Sequence, residues 1–366
     1  MGYIWERKNW NEFTFSSENI EKAYSLYQER KTIADRIFMP MERDYLNKIQ
    51  AQSLSENIVS SLAIENEKIS YDSVYSSIAK KLNLELANHS NNAYSENVSD
   101  IVLDAIHNTA ALTEQRIKMW HEKLFKDLAG PKPSNIGEYR KEAVYIRHIS
   151  GKLDEITYEA IPFGDVPSEM NKLIYFIKNN HEYNALVKAA IASLWFIIIH
   201  PFEDGNGRIS RAISDYIISS ETKESFRIYS LSSVILNQRN EYYKEISQIT
   251  EQSESNDITS WLVWNINVAT TAIDNAINSF YRTIKISGFI SNLDPSIFNS
   301  REISMLYKLA NKEFFGKLTS SKWAKITKSS QAAAIRDIRH LVKEGYLVPT
   351  QEKGSEQGYY FNEDIL

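Results

Sequence analysis

The chain contains no cysteine. It therefore holds no disulfide and no thiolate metal site, a composition that fits a reducing compartment. No apolar run approaches the roughly 20 residues of a membrane-spanning helix. The opening Met1-Gly2-Tyr3-Ile4-Trp5-Glu6 lacks the basic-then-apolar pattern of a secretory signal and the position-six hydroxyl of a myristoylation signal. These absences set the expectation of a cytoplasmic protein with no membrane partner. A strong charge bias is missing too. The formal net charge of −5 over 366 residues gives no general case for nucleic acid or anionic membrane as a partner. The hydrophobic fraction of 43% is ordinary for a globular protein, and the length allows two or three domains with cores of their own. His89, His107, His121, His181 and His340 show no ligand spacing and read as structural.

What is present is concentrated in residues 200–211, His-Pro-Phe-Glu-Asp-Gly-Asn-Gly-Arg-Ile-Ser-Arg. They follow an apolar helical stretch, Ala185 to Ile199, so a polar cluster begins where a buried helix ends. Gly205 and Gly207 permit positive φ and close backbone approach, which lets successive N–H groups point into one concavity. Helical spacing resumes with Ile209, Ala212, Ile213, Tyr216 and Ile217. The glycine loop thus opens a helix, and a helix N-terminus favours phosphate. Arg208 and Arg211 stand three apart and can face one anion. Asp204 is a hard oxygen ligand suited to Mg²⁺ beside a polyphosphate. His200 is the side chain here able to take a proton from a hydroxyl near neutral pH. A plain glycine turn with a solvated arginine pair is the bland alternative. Seven fixed letters coincide, however, roughly a one-in-a-billion match per start position at average residue usage.

The segment resembles the signature of the Fic family, H-x-F-x-(D/E)-G-N-G-R-x-x-R, at every position. The resemblance implies a mainly α fold, a helical Fic core with a β-hairpin flap, and transfer of AMP from ATP to a protein hydroxyl. On that analogy His200 deprotonates a Ser, Thr or Tyr of the target, and Asp204 holds Mg²⁺ on the ATP phosphates. The amides of Gly205 to Gly207, with Asn206 and Arg208, cradle the phosphates, and Arg211 binds the γ-phosphate. The Doc-like kinase branch departs from the glycine pattern at this loop; both glycines are kept here. Relatives often carry a histidine seven residues before the motif's histidine, where this chain has Ser193.

Residues 61–66, Ser61-Leu62-Ala63-Ile64-Glu65-Asn66, place Ser61 and Glu65 one helical turn apart beside an apolar stripe of Leu54, Ile58 and Leu62. Alone this is an amphipathic helix end. Beside the signature it resembles the inhibitory motif (S/T)-x-x-x-E-(G/N), which implies that Glu65 pairs with Arg211 and blocks productive ATP binding. Arg239-Asn240-Glu241-Tyr242-Tyr243 resembles the family's Arg-x-x-Tyr-Tyr stretch, which makes Tyr243 the candidate for stacking on adenine.

Three regions are expected. Residues 1–98 read as an N-terminal helical module, with few breakers from Glu21 to Ser61, a helix capped by Ser70, and a polar loop from Asn88 to Ser99. Residues 99–284 read as the catalytic core. Within it, 144–161 has the texture of two short strands and a turn, and matches the flap that would pair with a target protein by β-augmentation. Asp257-Ile258-Thr259 looks like a helix cap. Residues 290–366 read as three helices and a hairpin, resembling a small winged-helix domain. Lys322, Lys325, Lys328, Arg336, Arg339 and Lys343 outweigh Asp337 and Glu344 there, a local basic excess compatible with DNA as a partner; a protein-docking module or a solvated helix face is the alternative. A second copy of the chain is a further expected partner. The alternatives are a DNA-binding regulator whose core senses nucleotide without catalysis, and a Fic enzyme that transfers UMP or phosphate.

Overall fold

A computed structural model describes residues 2–85, 92–148, 155–222, 226–250, 255–311, 317–352 and 357–366. The first half of the chain gives α1 (Ser17–Phe38), α2 (Arg43–Ile64), α3 (Tyr71–Lys81), α4 (Ala93–His107) and α5 (Glu114–Lys126). A hairpin of β1 (Tyr145–His148) and β2 (Glu155–Glu159) follows. Next come α6 (Val166–Asn179), α7 (Ala185–Ile199), α8 (Asn206–Thr222), α9 (Leu231–Asn237), α10 (Arg239–Thr250) and α11 (Thr259–Ser291). The chain closes with α12 (Ser300–Ala310), α13 (Ser320–Thr327), α14 (Gln331–Lys343), β3 (Leu347–Pro349) and β4 (Tyr359–Phe361). The fold is mainly α, with two antiparallel two-stranded sheets, β1–β2 and β3–β4, among the described residues. No helix among them is long and apolar enough to cross a membrane.

Short polar side chains start most helices. Ser70 accepts from the Ser73 N–H, Thr113 from Arg116, and Asn184 from Val187, each satisfying a donor that the first helical turn leaves unpaired. Asp257 Oδ1 accepts from the Thr259 N–H at 2.7 Å at the start of α11. The helical texture from Glu21 to Ser61 is broken at Met39–Glu42, where Pro40 stands between α1 and α2. The polar stretch expected as a loop from Asn88 to Ser99 is corrected. Its first residues, to 91, lie outside the described residues, but Asn92 caps α4, whose buried Val98, Ile101 and Ala105 give it an apolar face. Four polar residues at the head of that helix hid its periodicity.

The chain forms two compact units, Met1–Ala276 and Ile277–Leu366, with the boundary inside α11. The expected division at 98/99 is therefore not a division between compact bodies. α2 packs on α8 and α9, so the N-terminal helices share one core with α7 and α8. α7 is apolar all round and buried from Leu186 to Ile199, the pattern of a central core helix. Its one cation, Lys188, is buried and pairs with Glu221 at 2.7 Å.

The segment 144–161 holds the β1–β2 hairpin, with Tyr145 opposite Glu159 and a register shift between Ile146 and Arg147. Residues 149–154, between its strands, lie outside the described residues. Trp5 Nε1 donates to the Glu159 carbonyl at 2.7 Å, and Tyr3 meets the Tyr158 ring edge-on. The N-terminal aromatics are thus docking residues for the root of the hairpin.

In the second unit, Met305, Leu306, Leu318, Trp323, Ile338 and Leu341 form the core. Asn299 and Glu302 make a reciprocal capping box at the start of α12. Lys328 takes a left-handed conformation between α13 and α14. Part of the turn expected from Lys353 to Gly358 lies outside the described residues.

Candidate active site

The site is built at the end of α7. His200 is the C-cap of that helix at φ 49°, ψ 59°, and Pro201 prevents continuation. A helix end leaves its last carbonyls without intrahelical partners. Here they are all taken. His200 N–H donates to Phe196 O at 2.9 Å, Tyr158 Oη to Ile198 O at 2.9 Å, and Arg140 Nε to His200 O at 2.8 Å. Arg140 also reaches Ile199 O at 3.4 Å and donates to Ile161 O. Arg140 precedes the hairpin, Tyr158 lies on β2, and both are buried, so the hairpin root and the helix end are one hydrogen-bonded assembly.

The His200 ring faces inward at one nitrogen. Nδ1 lies 3.3 Å from the Ile197 carbonyl, an acceptor only, so Nδ1 carries the proton and Nε2 the lone pair. Burial pushes its pKa down to about 4, opposed by the Ile197 hydrogen bond and assisted by the Arg140 charge. The imidazole is therefore neutral at pH 7, with Nε2 able to accept a proton.

The following loop is braced from within. Phe202 is fully buried and stacks on His121 at 3.9 Å with an interplanar angle of 11°. Burying such a ring contributes roughly 1.5–3 kcal/mol. The Asn206 side chain closes the loop, accepting from Phe202 N–H at 3.0 Å and donating to Phe202 O at 2.9 Å. Its side chain is thus spent inside the loop, and its backbone N–H is the group left for an anion. Gly205 sits at φ +84°, and a Cβ there would lie 2.9 Å from Phe125 Cε2, so backbone and space both demand glycine. His121 bonds the Asp204 carbonyl at 3.1 Å and accepts from the Gly137 N–H at 2.9 Å. Burial lowers its pKa to about 4. Where the resemblance has a histidine, Ser193 Oγ meets Ser210 Oγ at 2.7 Å and ties α7 to α8 instead.

The arginines lie on the first turns of α8 with side chains 5% and 7% exposed, and each meets a carboxylate from beyond α2. Arg211 donates from Nε to Ser61 Oγ at 2.8 Å, and from Nη2 to Ser61 O at 2.8 Å and Glu65 Oε1 at 2.9 Å. The Glu65 carboxylate lies against Gly207, where any Cβ would collide with it. It is an anion seated at a helix N-terminus. Burial works against the Arg211 charge, but Glu65 outweighs it and raises the pKa. Arg208 reaches Glu67 through Nη1 and Asp204 Oδ1 through Nη2 at 2.9 Å, with its guanidinium over the Phe125 ring. The two arginines thus hold different carboxylates.

Tyr243 Oη lies 3.2 Å from Glu65 Oε2, and the Arg239 guanidinium covers its ring at 5.3 Å. Its neighbour Tyr242 is buried against Trp261 and Trp264. Asp204 is 60% exposed at the loop surface. Among the described residues no cluster of three or more metal-ligating side chains occurs. A single exposed carboxylate fits Mg²⁺, which takes one or two protein carboxylates and fills its shell with water and phosphate oxygens.

Sequence reasoning missed Glu67, Tyr94, Arg140 and Tyr158. Tyr94 Oη donates to Glu67 Oε2 at 2.9 Å. Glu67 carried one usable signal, its place two residues beyond Glu65 after an asparagine. Asn66 adopts φ +61°, which reverses the chain and turns both glutamates toward α8.

Comparisons with known proteins address this same stretch. The family model for the Fic/DOC family matches residues 111–218. Residues 111–218 are a Fic domain. A domain of unknown function, DUF4172, matches residues 3–84, which include Ser61, Glu65 and Glu67. A Fic family protein from Desulfovibrio desulfuricans G20 shares the fold, with a TM-score of 0.55 and 19% identity over 96% of this chain and 98% of that one. A Fic domain containing signaling protein from Bacteroides thetaiotaomicron VPI-5482 gives a TM-score of 0.50 and 17% identity over 71% and 94% of the two chains. A probable protein adenylyltransferase of Aquifex aeolicus (strain VF5) is 26% identical over 176 residues, 48% of either chain. The match thus spans about half the length of that relative.

Proposed function

We propose that this Fic domain protein moves AMP from ATP to a Ser, Thr or Tyr hydroxyl of a target protein, and that Glu65 holds it inhibited at rest. The observation that carries the reading is the neutral His200, its Nε2 turned away from the helix carbonyls, beside an α8 N-terminus that already holds an anion. His200 Nε2 takes the proton of the target hydroxyl. The hydroxyl oxygen forms a bond to the α-phosphorus, and the bond to the bridging oxygen of the pyrophosphate breaks. The Gly205–Gly207 backbone, Arg208 and Arg211 hold the phosphates, so catalysis is positioning plus charge stabilisation. Mg²⁺, held by Asp204, would neutralise charge on the phosphate oxygens. The hairpin at 144–161, rooted on the end of α7, suits a strand-pairing role toward the target. Glu65 on Arg211 takes the place of phosphate charge and so opposes productive ATP binding. The relative's name, a probable protein adenylyltransferase, supports the same chemistry.

The test is transfer of α-phosphate label from ATP with Mg²⁺. Wild type is expected to label weakly, Glu65→Gly strongly, and Glu65→Gly with His200→Ala not at all. Label from UTP or from the γ-phosphate, in place of α-label from ATP, would move the reading to another transferred group.

We further propose that the C-terminal unit binds duplex DNA as a winged helix. Asp337 is 4% exposed and is spent internally on Arg301, Asn299 and Trp323. The exposed Lys322, Lys325, Lys328, Arg336, Arg339 and Lys343 are left facing solvent, with Glu344 at the far end of α14. Binding to a random-sequence duplex should weaken with salt. The double variant Arg336→Ala, Arg339→Ala should lower that slope by about two. Salt-independent binding, or none at low salt, sinks this part of the reading.

A further inference from the structure

We propose that Glu67 is a second inhibitory carboxylate: it occupies Arg208 as Glu65 occupies Arg211, and the two withdraw together before nucleotide phosphates can seat. This rests on the reading of the α8 N-terminus as a nucleotide-phosphate site.

The two arginines are one helical turn apart on α8, and the two glutamates are two residues apart in a turn. Three backbone hydrogen bonds lock that turn: Glu65 N–H to Leu62 O, Asn66 N–H to Ala63 O and Glu67 N–H to Leu62 O, each 3.0 Å. Asn66 supplies the left-handed residue at its centre. The spacing between the carboxylates is therefore fixed by backbone, and they form a rigid two-pronged body. Each prong has its own tyrosine. Tyr94 Oη, from α4, donates to Glu67 Oε2 at 2.9 Å, and Tyr243 Oη lies 3.2 Å from Glu65 Oε2. Each prong also has its own cation on α8.

A second observation points to a larger anion at the same place. Arg208 Nε and Arg211 Nη1 are buried and make no hydrogen bond among the described residues. Buried guanidinium donors without an acceptor are costly. Glu65, Glu67 and Asp204 leave those donors unmet, whereas a polyphosphate brings more acceptor oxygens to the same two guanidinium groups. The arginines are thus arranged for a ligand with more oxygens than the plug provides. Because the prongs share one rigid turn, freeing one arginine while the other stays paired leaves the turn docked. Removal of Glu65 alone should release only part of the affinity.

The experiment is binding of a Mg²⁺ complex of an ATP analogue with a non-cleavable α–β bridge, by calorimetry on the full chain. The variants are wild type, Glu65→Gly, Glu67→Gln and the two combined. Each single variant should bind more tightly than wild type. The combination should bind at least fivefold more tightly than Glu65→Gly. Tyr94→Phe, which leaves the Glu67 charge in place, should tighten binding about fivefold through loss of one hydrogen bond. If the combined variant binds no better than Glu65→Gly, Glu67 is not an inhibitor. A lowered melting temperature with unchanged affinity would assign Glu67 a structural role and overturn the proposal. If affinities follow the expected order but no variant transfers α-label to protein, adenylyl transfer falls while the two-pronged plug stands.

Discussion

The loop 200–206 and the turn 61–67 meet at the same helix N-terminus, yet they are held by different forces. The loop is closed chiefly by packing and by hydrogen bonds to backbone carbonyls and amides. Its braces are the Asn206 amide on the Phe202 backbone, the Phe202–His121 stack and the capped carbonyls of α7. None of these competes with an incoming phosphate. The turn is held across the gap by charge, with Glu65 and Glu67 on Arg211 and Arg208. Those contacts are in direct competition with a polyphosphate for the same donors. The comparison teaches which part is permanent and which exchangeable. Damage to the loop should remove activity, and damage to the turn should release it.

The largest effect should come from Gly205→Val in the Glu65→Gly background. Valine resists φ +84°, and its Cβ would meet the Phe125 ring at 2.9 Å. Displacing the loop backbone by about 1 Å costs on the order of 100-fold in rate. Label transfer should fall by about that factor while far-UV dichroism stays helical. Transfer at the level of the parent would show that the loop is not fixed by this glycine.

The next effect separates neutral bracing from charge. His121 and His200 are held near pKa 4 and His107 is lowered in the same direction, each chiefly by burial, from an ordinary 6.5. The unfolded chain therefore binds more protons than the folded one between pH 6.5 and 4, so stability falls as pH drops through that window. The urea midpoint should decline steadily from pH 7 to pH 4.5, and high salt should not rescue it. A flat midpoint would mean that these rings are solvated. The same depression keeps His200 unprotonated, so transfer by Glu65→Gly should hold its rate from pH 8 to pH 6.

A third prediction concerns the root of the turn. Asn57, two turns before Glu65 on α2, donates to Asp215 Oδ2 at 3.0 Å. It also accepts from Ser232 N–H at 3.0 Å and Ser230 Oγ at 3.2 Å. Asp215 in turn takes Arg227 Nη1 at 3.0 Å, all in buried surroundings. Asn57→Ala strands these partners and should cost about 1–3 kcal/mol in urea unfolding. A loss under about 0.5 kcal/mol, the usual range for surface sites, would show that the network is not what pins α2 to α8.

What was legible in the sequence follows the same division. The loop is contiguous, so His200, Asp204, the glycines and both arginines stand in one run, and α7 and α8 are evident from apolar spacing. Ser61 and Glu65 became visible only through a resemblance, because nothing local says that a helix end faces another helix. Glu67, Tyr94 and Arg140 escaped altogether. Each acts through a partner far outside its own turn: Tyr94 on Glu67, 27 residues back, Glu67 on Arg208, 141 residues on, and Arg140 on His200, 60 residues on. Asn206 was legible only in part for a related reason. Its letter fits a phosphate cradle equally well, and only the fold reveals that Phe202 claims both ends of its amide.

The smallest effect concerns Tyr243, for which two roles can be told apart. Stacking on a base needs the ring; holding Glu65 needs only the hydroxyl, at 3.2 Å from Oε2. Tyr243→Phe keeps the ring and removes that bond, worth about 1 kcal/mol at this distance and exposure. Basal transfer by otherwise wild-type protein should rise about fivefold, with the KM for ATP in the Glu65→Gly background unchanged. Tyr243→Leu should give the same release and also raise that KM if the ring lies on the adenine. If Phe and Leu release equally and neither alters KM, Tyr243 belongs to the exchangeable turn alone. The Arg239 guanidinium that already covers one ring face would then be its lasting neighbour.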